Sequence, residues 1–234
     1  MPEGFQSYRF SFADVCPSLN EVLEFMQSSD CEEDHPVTIS AKDILDTLSS
    51  YEGISGGYII KDIAPITPKT GIIEIDGVKL QAGSQICGYV KQATKAALFI
   101  CTAGDIFTRL SGEYNRNGLF LEAFVADSIG SLTVENAMDR IQDSLSVDLS
   151  GKGLKISNRY SPGYCNWPLS GQKELFGLIG ENATGVLLSE SCLINPIKSV
   201  SGIIGIGTDI KKREYGCSIC NNAECIYRKI INKK

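Results

Sequence analysis

The sequence is short of the residues that usually announce a catalytic centre. It has one histidine, one tryptophan and three methionines in 234 residues. The histidine, His35, follows Glu32, Glu33 and Asp34 and precedes Pro36. An acidic stretch stopped by proline reads as an exposed loop, and a lone imidazole without a positioned partner is a poor general base or ligand. No run approaches the roughly 20 apolar residues of a membrane span, so no transmembrane helix is expected. Broad basic patches are missing too. The net charge is −6, and the only basic runs are Lys211-Lys212-Arg213, Arg228-Lys229 and Lys233-Lys234. Nucleic-acid binding through phosphate neutralisation is therefore not expected. The N-terminus, Met1-Pro2-Glu3-Gly4-Phe5, carries neither the basic nor the apolar region of a secretory signal, which predicts a cytoplasmic setting with reduced thiols. There is no internal repeat and no low-complexity linker.

What is present reads as one globular unit. An apolar fraction of 43% and a charged fraction of 21% are ordinary for a folded domain, and the chain is long enough to bury a core without disulfides. Residues 1–55 read as an N-terminal helical segment: Ser18 is a candidate N-cap for a helix through Met26, and a second helix is expected from Ala41 to Tyr51. Residues 56–234 read as an α+β core. Ile72 to Ile75 and Val78 to Leu80, joined by Asp76-Gly77, form the strongest local signal, a hairpin with a type I′ turn. Ala96 to Cys101 is an apolar run that reads as a buried strand feeding a loop and a helix. Between Gly118 and Leu145 apolar residues recur at helical spacing, interrupted at Gly130-Ser131, where small side chains permit close approach of another backbone. Strands are expected at Leu154 to Ser157, Gly185 to Leu188 and Ser199 to Gly207, and a helix from Gly171 to Ile179 stopped by Gly180. The predicted architecture is a single domain with a mixed or antiparallel twisted sheet flanked by helices.

Three segments carry candidate chemistry. Arg159-Tyr160-Ser161-Pro162-Gly163-Tyr164-Cys165-Asn166-Trp167-Pro168 is an irregular loop that concentrates an arginine, three aromatic residues and two prolines. It suits either ligand capture, with Arg159 gripping a carboxylate and the rings facing a flat base or a sulfonium, or a purely structural corner. Cys217, Cys220 and Cys225 form a C-x2-C-x4-C run, with Cys192 or Cys165 as a fourth thiolate. Zinc, an iron–sulfur cluster, free structural thiols and redox thiols all remain open for it. The Gly-rich run Gly202 to Gly207 does not fit a dinucleotide-binding turn and reads as a strand whose glycines admit close neighbours.

Arg159-x-x-Pro162-Gly163-Tyr164, followed by a helix, a Ser189-Glu190-Ser191 strand, the Asn195-Pro196 turn and Ser199-Val200-Ser201-Gly202, resembles the activation (reactivation) domain of cobalamin-dependent methionine synthase, over roughly residues 90 to 210. The family pattern has Pro where this chain has Cys165. The resemblance implies the activation-domain fold in a free-standing form, with S-adenosylmethionine as ligand. It places Arg159 on the ligand carboxylate, Glu135 on an amine or hydroxyl, and Ser161, Tyr164 and Tyr215 around the remainder. The implied role is as a component of methyltransferase activity, supporting reductive re-methylation of cobalamin on methionine synthase or a related corrinoid protein. A flavodoxin- or ferredoxin-type electron donor is a further implied partner. Two other classes stand beside it: an iron–sulfur or zinc protein acting as a reductive activator of corrinoid proteins, and a non-catalytic scaffold or sensor.

Overall fold

The computed structural model describes residues 4–213. The chain opens with strand β1 (Gln6–Phe10), an element the helical reading of residues 1–55 did not include. Its signal is the alternation of Tyr8, Phe10 and Phe12 with polar residues, the two-residue period of a half-buried strand. Helices α1 (Phe12–Val15) and α2 (Leu19–Phe25) follow. Ser18 caps α2 as expected: its hydroxyl accepts the Glu21 N–H at 3.2 Å, and the Glu21 carboxylate accepts the Ser18 N–H at 2.7 Å. The next helix, α3, runs Pro36–Thr47 rather than Ala41 to Tyr51. Pro36 starts this helix instead of ending a loop, because its missing N–H is one that a first turn leaves unbonded anyway. His35 is the N-cap, its Nδ1 accepting the Val37 N–H at 3.3 Å.

Strand β2 (Ile54–Asp62) contains the expected segment boundary at residue 55. The expected hairpin is β3 (Ile73–Ile75) and β4 (Val78–Leu80), with φ of 50° at Asp76 and 79° at Gly77, as a type I′ turn requires. After it come α4 (Gly83–Tyr89), which the sequence reading lacked, then β5 (Lys95–Thr102), α5 (Ile106–Arg116) and the long α6 (Phe120–Ser150). The C-terminal part holds β6 (Lys155–Tyr160), α7 (Gln172–Ile179), β7 (Leu187–Leu188), β8 (Ile194–Asn195) and β9 (Ser199–Gly207). Gly180, at φ 67°, ends α7 as expected. Ser189-Glu190-Ser191, expected as strand, is instead the turn between β7 and β8, where the Ser189 hydroxyl accepts the Leu193 N–H at 3.0 Å.

The central sheet has the order β1-β2-β5-β9-β6 and every pairing in it is antiparallel. Both faces are covered, which explains the unbroken apolar run of β5. Ala97, Phe99 and Cys101 face a core formed with α1, α3, α5 and α6, whereas Ala96, Leu98 and Ile100 face α4, α7 and the β3–β4 hairpin. Each large buried aliphatic side chain contributes roughly 1.5–3 kcal/mol, so the two cores together supply most of the driving force. Among the described residues no helix is long and apolar enough to cross a membrane.

Gly130 does not interrupt α6, which passes through it without a break. Its missing side chain is where α5 presses on α6: a Cβ there would lie 2.7 Å from Cβ and Cγ of Phe107. Gly177 of α7 has nothing within 4 Å of the same position. Gly130→Ala is therefore expected to destabilise the fold by about 1–3 kcal/mol. Gly177→Ala, relieved only of backbone freedom, is expected to stabilise it by roughly 0.5–1 kcal/mol. Urea denaturation of the two variants checks both signs.

Candidate functional site

Strand β6 lies at the sheet edge and pairs only with β9. Ile156 sits opposite Ile206 and Arg159 opposite Ile204, so Ser157 and Asn158 together oppose Gly205 alone. This is a β-bulge, and its effect is on side-chain parity. In a regular strand residues 156 and 159 point to opposite faces. Here Ile156 packs in the α6-side core, Arg159 points to α6 as well, and Tyr160 packs with the opposite core. The bulge is closed by Ser157, whose hydroxyl accepts the Gly205 N–H at 2.9 Å and donates to the Asn158 carbonyl at 2.7 Å. Asn158 in turn brackets Arg213, accepting its N–H at 2.7 Å and donating to its carbonyl at 2.8 Å. The Arg213 guanidinium sits 4.8 Å over the Tyr89 ring, which stacks on Tyr160.

Arg159 meets two carboxylates one helical turn apart on α6. Its Nη2 donates to Glu135 Oε2 at 3.0 Å, and its Nη1 lies 2.9 Å from Asp139 Oδ1. Positions i and i+4 of a helix share a face, which is how one guanidinium reaches both. The arginine side chain is 12% exposed, against 45% for Glu135 and 62% for Asp139. Burial pushes the Glu135 carboxyl above its ordinary range; Arg159 opposes that shift and the charge on Asp139 adds to it. Beneath them lies Cys101 of β5, its thiol pushed up to about 12 chiefly by burial, with Glu135 adding and Arg159 opposing. At that value it is protonated and unreactive at neutral pH. Asp139 was absent from the sequence-based set; its only sequence signal was its place four residues after Glu135. A second tether, also unforeseen, runs from Lys198, just ahead of β9, to Asp127 at 2.7 Å and Ser131 at 2.9 Å on the same helix.

The loop after β6 is tightly built. Tyr164 to Trp167 form a turn with φ of 51° at Cys165 and 64° at Asn166, closed by the Trp167 N–H on the Tyr164 carbonyl at 2.9 Å. Proline cannot adopt a positive φ, so this backbone path excludes at Cys165 the proline of the pattern the loop resembles. Trp167 is buried against Gly171, where a Cβ would lie 2.3 Å from Nε1, and so anchors the loop from within. Tyr164 is the exposed aromatic, at 69%. Ser161 packs over Gly202: a Cβ at 202 would lie 2.3 Å from the Tyr160 carbonyl and 2.8 Å from Ser161 Oγ.

A shallow cleft runs between α1, α2 and α6, lined by Asp14, Val15, Cys16, Glu21, Asn136, Asp139, Arg140 and Asp143. It meets the ion-paired group at Asp139, while Arg159, Ser161 and Tyr164 do not line it. The structure thus brings Arg159 and Glu135 together and sets Ser161 and Tyr164 on the loop that leaves the same strand. Tyr215, Cys217, Cys220 and Cys225 lie outside the described residues. Cys192 is buried in the β7–β8 turn at φ 65°, and among the described residues no group of His, Cys, Asp and Glu is arranged to hold a metal ion.

No protein-family model matches the chain and no curated protein matches its sequence. Among solved structures it is similar to the MetH reactivation domain, a crystal structure bound to AdoHcy, with a TM-score of 0.60 at 15% identity, over 92% of this chain and 81% of that one. The chain has the α+β fold of that domain, an antiparallel sheet with helices on both faces.

Two outcomes follow from the geometry. Ser157→Ala leaves the Gly205 N–H without its acceptor and is expected to cost about 1–3 kcal/mol in urea denaturation. Glu135 has a raised folded pKa, so the folded state holds its proton longer than the unfolded one and stability falls as pH rises above 4.5. Glu135→Gln removes that linkage. Its stability relative to the unaltered protein is expected to rise as pH climbs from below 4.5 to neutrality, read from denaturation midpoints across the range.

Proposed function

We propose that this chain binds S-adenosylmethionine and serves the reductive re-methylation of a cobalamin carried by a separate methionine synthase or other corrinoid protein. The observation that carries this reading is the Arg159–Glu135 pair, turned onto one face by the β6 bulge in a chain with the fold of the MetH reactivation domain, whose structure holds AdoHcy. AdoHcy is S-adenosylmethionine without its transferable methyl group.

The residues suit an amino-acid end. A guanidinium offers two parallel N–H donors to a carboxylate, and its low exposure makes the pair stronger than one in open water. Glu135, kept beside it, accepts from the ligand ammonium. Tyr164 offers an exposed ring to the flat base, and Ser161, with the backbone of its turn, reads the neighbouring polar edge. Tyr215 is assigned to the same ligand. Bound S-adenosylmethionine supplies an electrophilic methyl on its sulfonium, and cobalamin on the partner receives it. The chain's part is to hold the amino-acid end still and leave the sulfonium facing outward, so half of the reacting pair belongs to the partner. A flavodoxin- or ferredoxin-type protein is the proposed source of the electron.

The C-x2-C-x4-C run supports a second reading, in which zinc or an iron–sulfur cluster on Cys217, Cys220, Cys225 and Cys192 makes the chain a reductive activator or scaffold of corrinoid proteins. Iron, sulfide and zinc analysis of anaerobically purified protein separates the readings: stoichiometric cluster without S-adenosylmethionine binding favours the second.

Calorimetric titration tests the first. The protein is expected to bind S-adenosylmethionine, and Arg159→Ala is expected to weaken binding by about 2 kcal/mol or more, roughly thirtyfold in Kd. An Arg159→Ala protein that binds as tightly as the original contradicts the assignment.

A further inference from the structure

Arg159 is already ion-paired with two carboxylates, and an incoming carboxylate on its terminal nitrogens competes with them for the same charge. The two are not equivalent. Glu135 is the less exposed and is aligned as a hydrogen-bond acceptor, whereas Asp139 is 62% exposed and stands where the acidic cleft meets the group. Resting on the ligand assignment above, we infer that Asp139 is a built-in competitor. Its carboxylate occupies the place of the ligand's carboxylate on Arg159 Nη1, and binding requires its departure into the cleft.

The consequence is a tax on affinity. If the binding-competent state is the fraction of molecules with Asp139 off the arginine, the measured Kd is the intrinsic one divided by that fraction. The Asp139 end of the pair is 62% exposed and screened by solvent, so the tax is on the order of fivefold. It falls only on ligands that bring a carboxylate. The arrangement therefore weakens carboxylate-bearing ligands selectively and disfavours their retention at low concentration, where Asp139 retakes the guanidinium.

The experiment is calorimetry with two probes, S-adenosylhomocysteine and 5′-methylthioadenosine, on the unaltered chain, Asp139→Asn and Glu135→Gln. S-adenosylhomocysteine keeps the carboxylate and lacks the sulfonium charge; 5′-methylthioadenosine lacks the whole amino-acid end. Asp139→Asn is expected to bind S-adenosylhomocysteine about fivefold tighter and 5′-methylthioadenosine unchanged, while Glu135→Gln binds S-adenosylhomocysteine more weakly. Unchanged or weaker S-adenosylhomocysteine binding by Asp139→Asn overturns the inference. So does equal tightening toward both probes, which is a general charge effect. If no protein binds either probe, the ligand assignment itself fails. Matched thermal midpoints of Asp139→Asn and the unaltered chain exclude misfolding as the cause of any loss.

Discussion

One residue too many in strand β6 organises the candidate site. The bulge at Ser157 and Asn158 shifts the parity of the strand, and that shift carries Arg159 to the side of the sheet where α6 lies. A bulge leaves a backbone N–H of the partner strand without its ladder acceptor, and the Ser157 hydroxyl takes that N–H. The same irregularity frees Asn158 to bracket the backbone of Arg213. Three neighbouring residues thus hold the sheet edge, the exit of the described chain and the guanidinium.

Helix α6 supplies the other half. It crosses the sheet with one face in the core and presents Asp127, Ser131, Glu135 and Asp139 along its flank. Cations from two different strand ends reach that flank: Lys198 ahead of β9 and Arg159 on β6. Both are largely shielded from solvent while their acidic partners are more exposed. Leaving either cation without its carboxylates strands a partly desolvated charge, so the helix is located by charge as well as by packing. The close approach of α5 at Gly130 fixes the same helix from the other side.

Around Arg159 two carboxylates face one guanidinium, so the group holds more acid than base. Glu135 pays a desolvation penalty that Arg159 does not fully offset, as its raised pKa shows. Asp139, beside it, is the more exposed of the two and lines the acidic cleft. Under the proposed assignment, a ligand that brings one carboxylate and one ammonium pairs with the arginine and Glu135 together. Burial holds the Cys101 thiol below them in its protonated form.

Much of the secondary structure was readable because the local code was unambiguous. Asp76-Gly77 demanded positive φ, Ser18 and Glu21 formed a reciprocal cap, Gly180 stopped α7, and β5 was apolar enough to need burial on both faces. The short edge strand β1 and the Pro36 start of α3 were misread because half-buried alternation and an acidic loop resemble surface. The motif around Arg159 named the arginine, and its resemblance to a known signature named Glu135. Nothing in the order Lys-Ile-Ser-Asn-Arg-Tyr told which face the arginine would take, because a bulge is a relation between two strands and Gly205 lies 46 positions further on than Arg159. For the same reason the capture of Arg159 by Asp139 could not be read from one strand and one helix taken separately. Local propensity chose the elements, and only the pairing of β6 with β9 against α6 decided which charges meet.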